Sequence, residues 1–506
     1  MSIAIKNIAA IRNRVDRGTA LVVTFIAVYV VTFSVFTIVR YEKYNATGYD
    51  LGIFTQLTWN AAHGRPLQNT IAEQNNMLGV HSPYITIVLA PLFWLWADPR
   101  MLLIAQSVLL GIGAWPLARL ARRHFSQWWI PPVFAAMWLL YPSLGFNNRW
   151  DFHEIAPAAT FFAFAFEAAD RRAWPQVDLW LTLAILCKEE IGLSVAAFGL
   201  YMLWRFKRKR TPCLIWFIGG LAWFVVHAFV IFPILRNAPN GLPIHAVRYT
   251  WLLSGNLQTM INYVLGPDTL TKIAFLIKLF GPVAFISLLD PLSLVVAVPT
   301  LALSLLSSFE PQFDIFLHYT PVLIAVVLSS SVYGAEKLRD WLARRQIKRP
   351  ERAILGVALT ASILAWLIYN PLTYLPPYYV VYGWEPGAHV DALHEVESLI
   401  PPDACVVAGN QIQAHYSARP ETYVVGARGD MDGCAYMIID MSDSRFNTEF
   451  TIVQEVACYQ YWSRKRVPIY YRDTVVVLQQ APAQINPDAQ QGFDAYCASY
   501  AKGQGK

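Results

Sequence analysis

Residues 19–39, TALVVTFIAVYVVTFSVFTIV, contain no charged side chain. Wound as a helix, such a stretch is about 30 Å long, the thickness of bilayer hydrocarbon. Further apolar runs of about 15–25 residues follow, separated by short polar knots. A chain that is 56% hydrophobic and 15% charged departs from the roughly 25% charge of soluble domains. Lipid offers no partner to backbone N–H and C=O groups, so runs of this kind must be helical. The expected fold is therefore mainly α, a polytopic membrane protein. The first run lacks a small-residue cleavage site and reads as a span, not a signal peptide. The net charge of +6 does not indicate a nucleic-acid partner, because Lys and Arg cluster beside the apolar runs, where they report topology.

With basic clusters assigned to the cytoplasm, residues 1–18 (Lys6, Arg12, Arg14, Arg17) form a cytoplasmic N-terminus, and residues 19–370 a transmembrane helical domain. The next inside marker, ARLARRHF (118–125), follows two apolar runs, about 84–97 and 101–117. Parity allows only one of them to cross. The first is the shorter and suits an interfacial or re-entrant helix, which puts an outer loop with interfacial helices at 40–99. The same parity turns AILCKEEIGL (184–193) into an outer turn between two short helices, about 177–187 and 191–204. Runs near 128–146, 155–169, 212–235, 273–289, 291–306, 317–334 and 353–370 complete about eleven spans. The count places residues 371–506 outside the plasma membrane.

That tail changes character. A Pro-rich, aromatic stretch (371–387) leads into HVDALHEVESL, CVVAG, TYVV, YMIID and VPIYYRDTVVVLQ, a helix and strands that suggest a small α/β domain. Four of the six Cys lie in it, at 405, 434, 458 and 497. In an oxidising compartment they allow two disulfides with three pairings, although Cys405 reads equally as a core thiol.

Threading sends five polar clusters to one face: YDLGIFTQ (49–56), NNMLGVHSPY (75–84), NNRWDFHE (147–154), CKEE (187–190) and SSFEPQFDIFLHY (307–319). Ionisable groups at membrane depth point to a functional site. Each cluster also has a plainer reading. Asp50 suits a cap for a helix over 51–62. His81 suits a satisfied buried histidine, and His318 with Tyr319 an interface pair. The sequence DFHE offers Asp151, His153 and Glu154 to a divalent ion, Mg, Mn or Zn, or simply caps a helix starting near Ile155. Lys188 is a candidate phosphate ligand with Glu189 orienting a neighbour, or part of a self-neutralising turn. There is no Walker A, dinucleotide fingerprint, nucleophile elbow or zinc-protease helix motif, so ATP-driven transport and serine hydrolysis lack support.

The stretches YDLGIFTQLTWNAAHGRP, LGVHSPYITIVLAPLFWLW, WDFHEIAPAA, LAILCKEEIGL and SSFEPQFDIFLHYTPVL together resemble a prokaryotic family of multi-pass membrane proteins, domain of unknown function 2079, over about residues 40–480. More distantly, the chain is similar to the C-type superfamily of membrane glycosyltransferases. That resemblance implies a cytoplasmic N-terminus, an acid in the first outer loop, interfacial helices after it, an outer C-terminal domain and polyprenyl-phosphate-linked sugar donors. It implies that Asp50 is the first-loop acid, that DFHE holds a second acidic motif and that Lys188 stands at an outer turn. Asp50 is followed here by Leu-Gly-Ile-Phe, unlike the better-known branches, so sugar and acceptor do not carry over.

The leading expectation is sugar transfer at the outer face. Asp50 acts as general base on the acceptor, Arg149 and Lys188 neutralise the donor phosphate, and Asp151, Glu154 and His153 hold an ion. Glu189, His81, His318 and Tyr319 make surrounding contacts. A lipid or small-molecule transporter and a non-enzymatic assembly protein are the alternatives. Short basic inner loops and few carboxylates within spans weigh against the transporter.

Overall fold

The structure, a computed structural model, describes residues 2–72, 75–236, 244–264, 266–374, 387–426, 433–441 and 447–504. Most of the Pro-rich stretch 371–387 and part of the expected loop 236–271 lie outside the described residues. The chain divides into two compact units. Met1–Thr37, Leu78–Ile85 and Leu103–Pro376 form the first, and Ile38–Met77, Thr86–Leu102 and Pro377–Lys506 the second.

The first unit is helical. Among the described residues, five helices in the chain are long and apolar enough to cross a membrane: Arg17–Glu42, Pro99–His124, Arg210–Leu235, Pro321–Arg344 and Pro350–Ile368. Three of them turn apolar side chains outward. Val28 and Val31, Ile215 and Ile218, and Val357 and Leu367 are each more than half exposed, as lipid-facing residues are. Pro321–Arg344 is the opposite, with every residue from Pro321 to Ala335 buried, and it forms the centre of the unit. Shorter apolar helices span Ile85–Leu95, Ile130–Leu139, Ile191–Phe206 and Pro291–Leu305. Prolines and breaks shorten them. The expected span at 128–146, for example, is two helices, Ile130–Leu139 and Pro142–Arg149, parted at Leu140–Tyr141. Helix length therefore supports five crossings directly, and the expected eleven is not decided by length.

Helices Ile191–Phe206 and Arg210–Val226 form a tight hairpin turned at Lys207, which is left-handed at φ 48°. Glycines let their backbones touch. A Cβ on Gly192 would meet the Gly220 carbonyl oxygen at 2.5 Å, and one on Gly199 the Cys213 carbonyl oxygen at 2.7 Å. Small residues serve this purpose in membranes, where lipid removes the hydrophobic drive for helix association.

The second unit holds a five-stranded mixed sheet of order β2-β1-β3-β5-β4. Its strands are β1 (Val406–Ala408), β2 (Thr422–Val424), β3 (Tyr436–Asp440), β4 (Arg466–Arg472) and β5 (Val475–Gln480). β1 lies parallel to β2 and β3, and β5 lies antiparallel to β3 and β4. Alternation sorts the side chains by face. Val475 and Val477 pack under helix Ala388–Leu399, while Val476 and Leu478 pack with Ala457, Phe493 and Cys497. All the strands read from the sequence are present. The helices Asn447–Trp462 and Pro487–Gln504 are additions to that reading. The four tail cysteines pair as Cys405–Cys434 and Cys458–Cys497, the second bond joining those two helices.

Residues from the first long loop belong to this same unit. Cβ atoms on Gly48 and Gly52 would meet Gln413 Oε1 at 2.6 and 2.3 Å. The Tyr49 N–H donates to Asn410 Oδ1 at 3.1 Å. Gln56 Nε2 donates to Thr70 Oγ1 at 2.9 Å, and Thr70 donates to the Thr422 carbonyl at 2.6 Å. The histidine ring of His415 lies between Tyr41 and Tyr44, with centroids at 4.0 and 3.8 Å.

The hairpin contact gives a direct test. Gly192→Val destabilises the protein by about 1–3 kcal/mol through backbone separation, whereas Gly219→Ala, with nothing within 4 Å of the added Cβ, causes no loss of stability. Thermal unfolding of the detergent-solubilised chain reads both.

Candidate functional site

Four of the five polar clusters come together in the first unit. The segment carrying His81 is stitched to the helix break at 186–190, where the Ile85 N–H donates to the Leu186 carbonyl at 2.8 Å. Glu189 then reaches back to that segment. Its Oε1 accepts from His81 Nδ1 at 2.8 Å, and its Oε2 accepts from the Ser82 N–H at 3.1 Å and Ser82 Oγ at 3.3 Å. Lys188 Nζ stands 3.6 Å from Glu154 Oε1, both side chains buried. Lys188 and Glu189 are thus matched from other segments, and the turn at 187–190 is not merely self-neutralising.

The break carrying Asp151, His153 and Glu154 is buried and held by side chains from neighbouring helices. Gln106 Nε2 donates to the Asn147 carbonyl at 3.1 Å, and Gln106 Oε1 accepts the His153 N–H at 3.0 Å. Ser107 donates to Asn148 Oδ1 at 3.0 Å, and Asn148 donates to the Tyr29 hydroxyl at 3.2 Å. Asn147 Nδ2 donates to Thr320 Oγ1 at 2.9 Å, tying this break to the turn with His318 and Tyr319. The rings of His153 and His318 stack at 3.7 Å, and His318 and Tyr319 lie 4.3 Å apart. The following helix starts at Ala158 after Pro157, so Asp151 does not cap a helix at Ile155.

These elements enclose a cavity of about 240 Å³. Its polar lining includes His81, Lys188, Glu189, Glu190, Arg248 and His318, and its apolar lining includes Phe224, Ala228, Phe229, Phe232 and Leu303. Three residues that sequence reasoning missed stand out. His245 Nε2 meets His81 Nε2 at 3.2 Å, the Arg248 guanidinium lies 4.4 Å from the Phe309 ring centroid, and Gln312 bridges Arg248 and Tyr249 at 3.1 and 2.9 Å. A signal was present in IHAVRY (244–249), where a histidine and an arginine stand among apolar and aromatic residues.

Electrostatics divides the three charges of the turn. Burial works against each ionised form. For Lys188, Glu190, Glu154 and Glu189 outweigh that burial and hold it protonated. For Glu189, the charge and hydrogen bond of His81, then Lys188, outweigh burial and hold the carboxyl down to about 2. For Glu190 burial wins, and its carboxyl is raised. Burial, with His81, Lys188 and Arg248 adding to it, takes His245 down to about 3.

The other expected residues lie elsewhere. Arg149 is buried with a guanidinium hydrogen bond to the Tyr374 carbonyl and is not among the described residues lining the cavity. Asp151 is fully buried. The set Asp151, His153 and Glu154 does not converge on a metal: His153 Nδ1 meets the Asp151 carbonyl oxygen at 2.9 Å, Glu154 faces Lys188, and among the described residues no three His, Cys, Asp or Glu side chains group as ion ligands. Asp50 belongs to the second unit. It lies inside a π-helical turn, Gly48–Gly52, where Oδ2 accepts from Thr47 Oγ1 at 3.2 Å. The helix after it runs Ile53–Ala62 with Gly52 at its N-cap, so Asp50 does not cap it.

Residues 40–466 match the family described as Predicted membrane protein (DUF2079). No curated protein matches the chain. Among solved structures, the chain is similar to the crystal structure of ArnT from Cupriavidus metallidurans bound to undecaprenyl phosphate. The TM-score is 0.57 at 15% identity, covering 93% of this chain and 99% of that one. The apo crystal structure of the same protein gives a TM-score of 0.53 at 14% identity, covering 91% and 98%. At this identity the likeness is one of fold.

The acid–base arrangement predicts a pH signature. A carboxyl lowered from 4.5 to about 2 contributes stability that is complete above its unfolded value and lost as pH falls through its folded one. Glu189→Gln therefore costs about 3 kcal/mol at pH 7, as breaking a buried pair does, and the gap to the native protein narrows as pH drops from 4.5 towards 2. Thermal midpoints across that range measure it.

The match runs through segments of both compact units, and the chain belongs to the DUF2079 family of predicted membrane proteins.

Proposed function

We propose that this protein transfers a sugar from a polyprenyl-phosphate donor to an acceptor at the outer face of the plasma membrane. The observation that carries this reading is the mixed lining of the cavity. Lys188 and Arg248 line it beside Glu189 and Glu190, and Phe224, Phe229 and Phe232 line it as well. A polyprenyl phosphate needs both, a cationic seat for its head and an apolar path for its chain. Phe229 lines the cavity and is itself more than half exposed, beside exposed Val225, Val226 and Val230, which supports entry of the chain sideways from lipid. The fold shared with ArnT, crystallised with undecaprenyl phosphate, supports the same donor class.

In the proposed reaction the bond between the anomeric carbon and the phosphate oxygen breaks, and a bond from that carbon to the acceptor oxygen forms. The departing phosphate keeps the electron pair. Lys188, kept protonated by its carboxylate neighbours, and Arg248 stabilise that charge in a site largely screened from water. Glu189 and His81 fix the segment beside it. Asp50 has the role that the family resemblance implies, general base for the acceptor proton. Among the described residues Asp151, His153 and Glu154 do not group as three ion ligands, and the proposed steps use the chain's own side chains. Two disulfides in the tail support an oxidising, extracytoplasmic location for it.

The test is sugar transfer by the purified full-length protein supplied with a panel of polyprenyl-phosphate sugars. Lys188→Ala lowers kcat/KM by about 10²–10³-fold, the loss expected for one charge-stabilising donor. Asp50→Asn lowers it by about 10²–10⁴-fold with normal expression, the range for a general base. A panel in which no donor is consumed overturns the reading, and full activity in Lys188→Ala removes the cavity from it.

A further inference from the structure

A second cavity, of about 380 Å³, lies in the first unit and takes no part in the proposed reaction. It is lined by Thr19, Val22, Trp115, Ala118, Pro131, Glu167 and four arginines, Arg119, Arg122, Arg123 and Arg171. Its lining is sorted by chemistry. Val22, Ala118 and Pro131 are buried and apolar, while Arg119, Arg122 and Arg123 are exposed. Each element contributes from the same kind of place. Thr19 and Val22 begin the apolar part of the first span, the arginines close the span Pro99–His124, and Glu167 and Arg171 sit where helix Ala158–Asp170 ends.

The single lining carboxylate is already committed. Glu167 Oε1 accepts from Arg171 Nε at 2.6 Å and lies 3.1 Å from Arg119 Nε, and its Oε2 accepts from Arg171 Nη2 at 2.9 Å. Two guanidinium groups on one carboxylate leave a positive excess. Asp170, beside the cavity, accepts from Arg123 Nε at 2.5 Å and also meets His124 Nε2 at 3.1 Å. Arg119 meets Glu167 through Nε, and its side chain is exposed. A rim of planar donors over an apolar floor is the arrangement that grips a phosphate oxygen while an alkyl chain lies below. Basic pockets between membrane helices on the Lys- and Arg-rich side recognise anionic headgroups in this way.

We propose that this cavity binds a phosphate-ester anion, supplied by the headgroup of an anionic phospholipid in the leaflet that borders the basic helix ends. The site is independent of the sugar-transfer reading, since it shares no residue with the Lys188 cavity.

The experiment uses the delipidated full-length protein in detergent and follows its thermal midpoint and lipid retention by native mass spectrometry. The probes are phosphatidylglycerol, phosphatidylcholine and inorganic phosphate, and the variants are Arg119→Gln, Arg119→Gln/Arg123→Gln and the control Lys348→Gln. Phosphatidylglycerol is expected to bind and stabilise the native protein over phosphatidylcholine, with apparent affinity falling about fivefold for each guanidinium removed and unchanged in the control. Arg119→Lys, which keeps the charge, is expected to recover part of that affinity. Equal protection by inorganic phosphate, lost in the double variant, supports the phosphate seat and assigns it a soluble source. Equal binding of phosphatidylglycerol and phosphatidylcholine by the native protein overturns the proposal without reliance on any variant. So does unchanged phosphatidylglycerol affinity in the double variant.

Discussion

Lys188 and Glu154, buried 3.6 Å apart, express the constraint on which the helical unit depends. A charge or a broken backbone inside apolar surroundings persists only when protein groups replace water. The breaks at 150–157, 186–190 and 306–320 are joined in this way to one another and to neighbouring segments. Glu189 takes donors from the His81 segment, Gln106 holds the His153 break, and Asn147 fastens that break to Thr320. Remote segments are drawn to one place because each supplies what the others lack. The cavity follows from that mutual satisfaction, and the Lys188 that lines it stays charged because carboxylates surround it.

The second unit shows the same economy in a different medium. A five-stranded sheet alternates its side chains between two apolar layers, and the loop stretch YDLGIFTQ fits against it. Gly48 and Gly52 give Gln413 room, and Gln56 and Thr70 join the end of β2 through hydrogen bonds. Much of what makes that stretch distinctive in the sequence is therefore docking chemistry. Asp50 lies in the same stretch, in a π-helical turn where Thr47 donates to its carboxylate, and such turns often carry function.

Much of this was legible in the sequence. Apolar run length identified the membrane helices, the strand-like stretches YMIID and VPIYYRDTVVVLQ identified β3, β4 and β5, and charges stranded between apolar runs identified the Lys188 turn. His81 and Glu189 were singled out from separate motifs and prove to be hydrogen-bonded. What escaped detection depends on three-dimensional pairing. Gln106 is an unremarkable residue within an apolar run, and only the folded chain shows it clamping the break that holds His153. His245 and Arg248 sit in a loop with no periodicity to mark them. The close spacing of Asp151, His153 and Glu154 suggested shared coordination, but the backbone turns their donors to different partners. Proline and glycine breaks, visible as residues, shortened helices more than parity counting anticipated.

The central claim is that the Lys188 wall seats the phosphate of a lipid-linked donor. An electron cryomicroscopy structure of the full-length protein in nanodiscs with a polyprenyl phosphate tests it most directly. The account predicts phosphate density within hydrogen-bonding reach of Lys188 or Arg248, with the chain leaving past Phe229 into lipid. A phosphate bound elsewhere, with the Lys188 cavity filled by protein side chains, contradicts it.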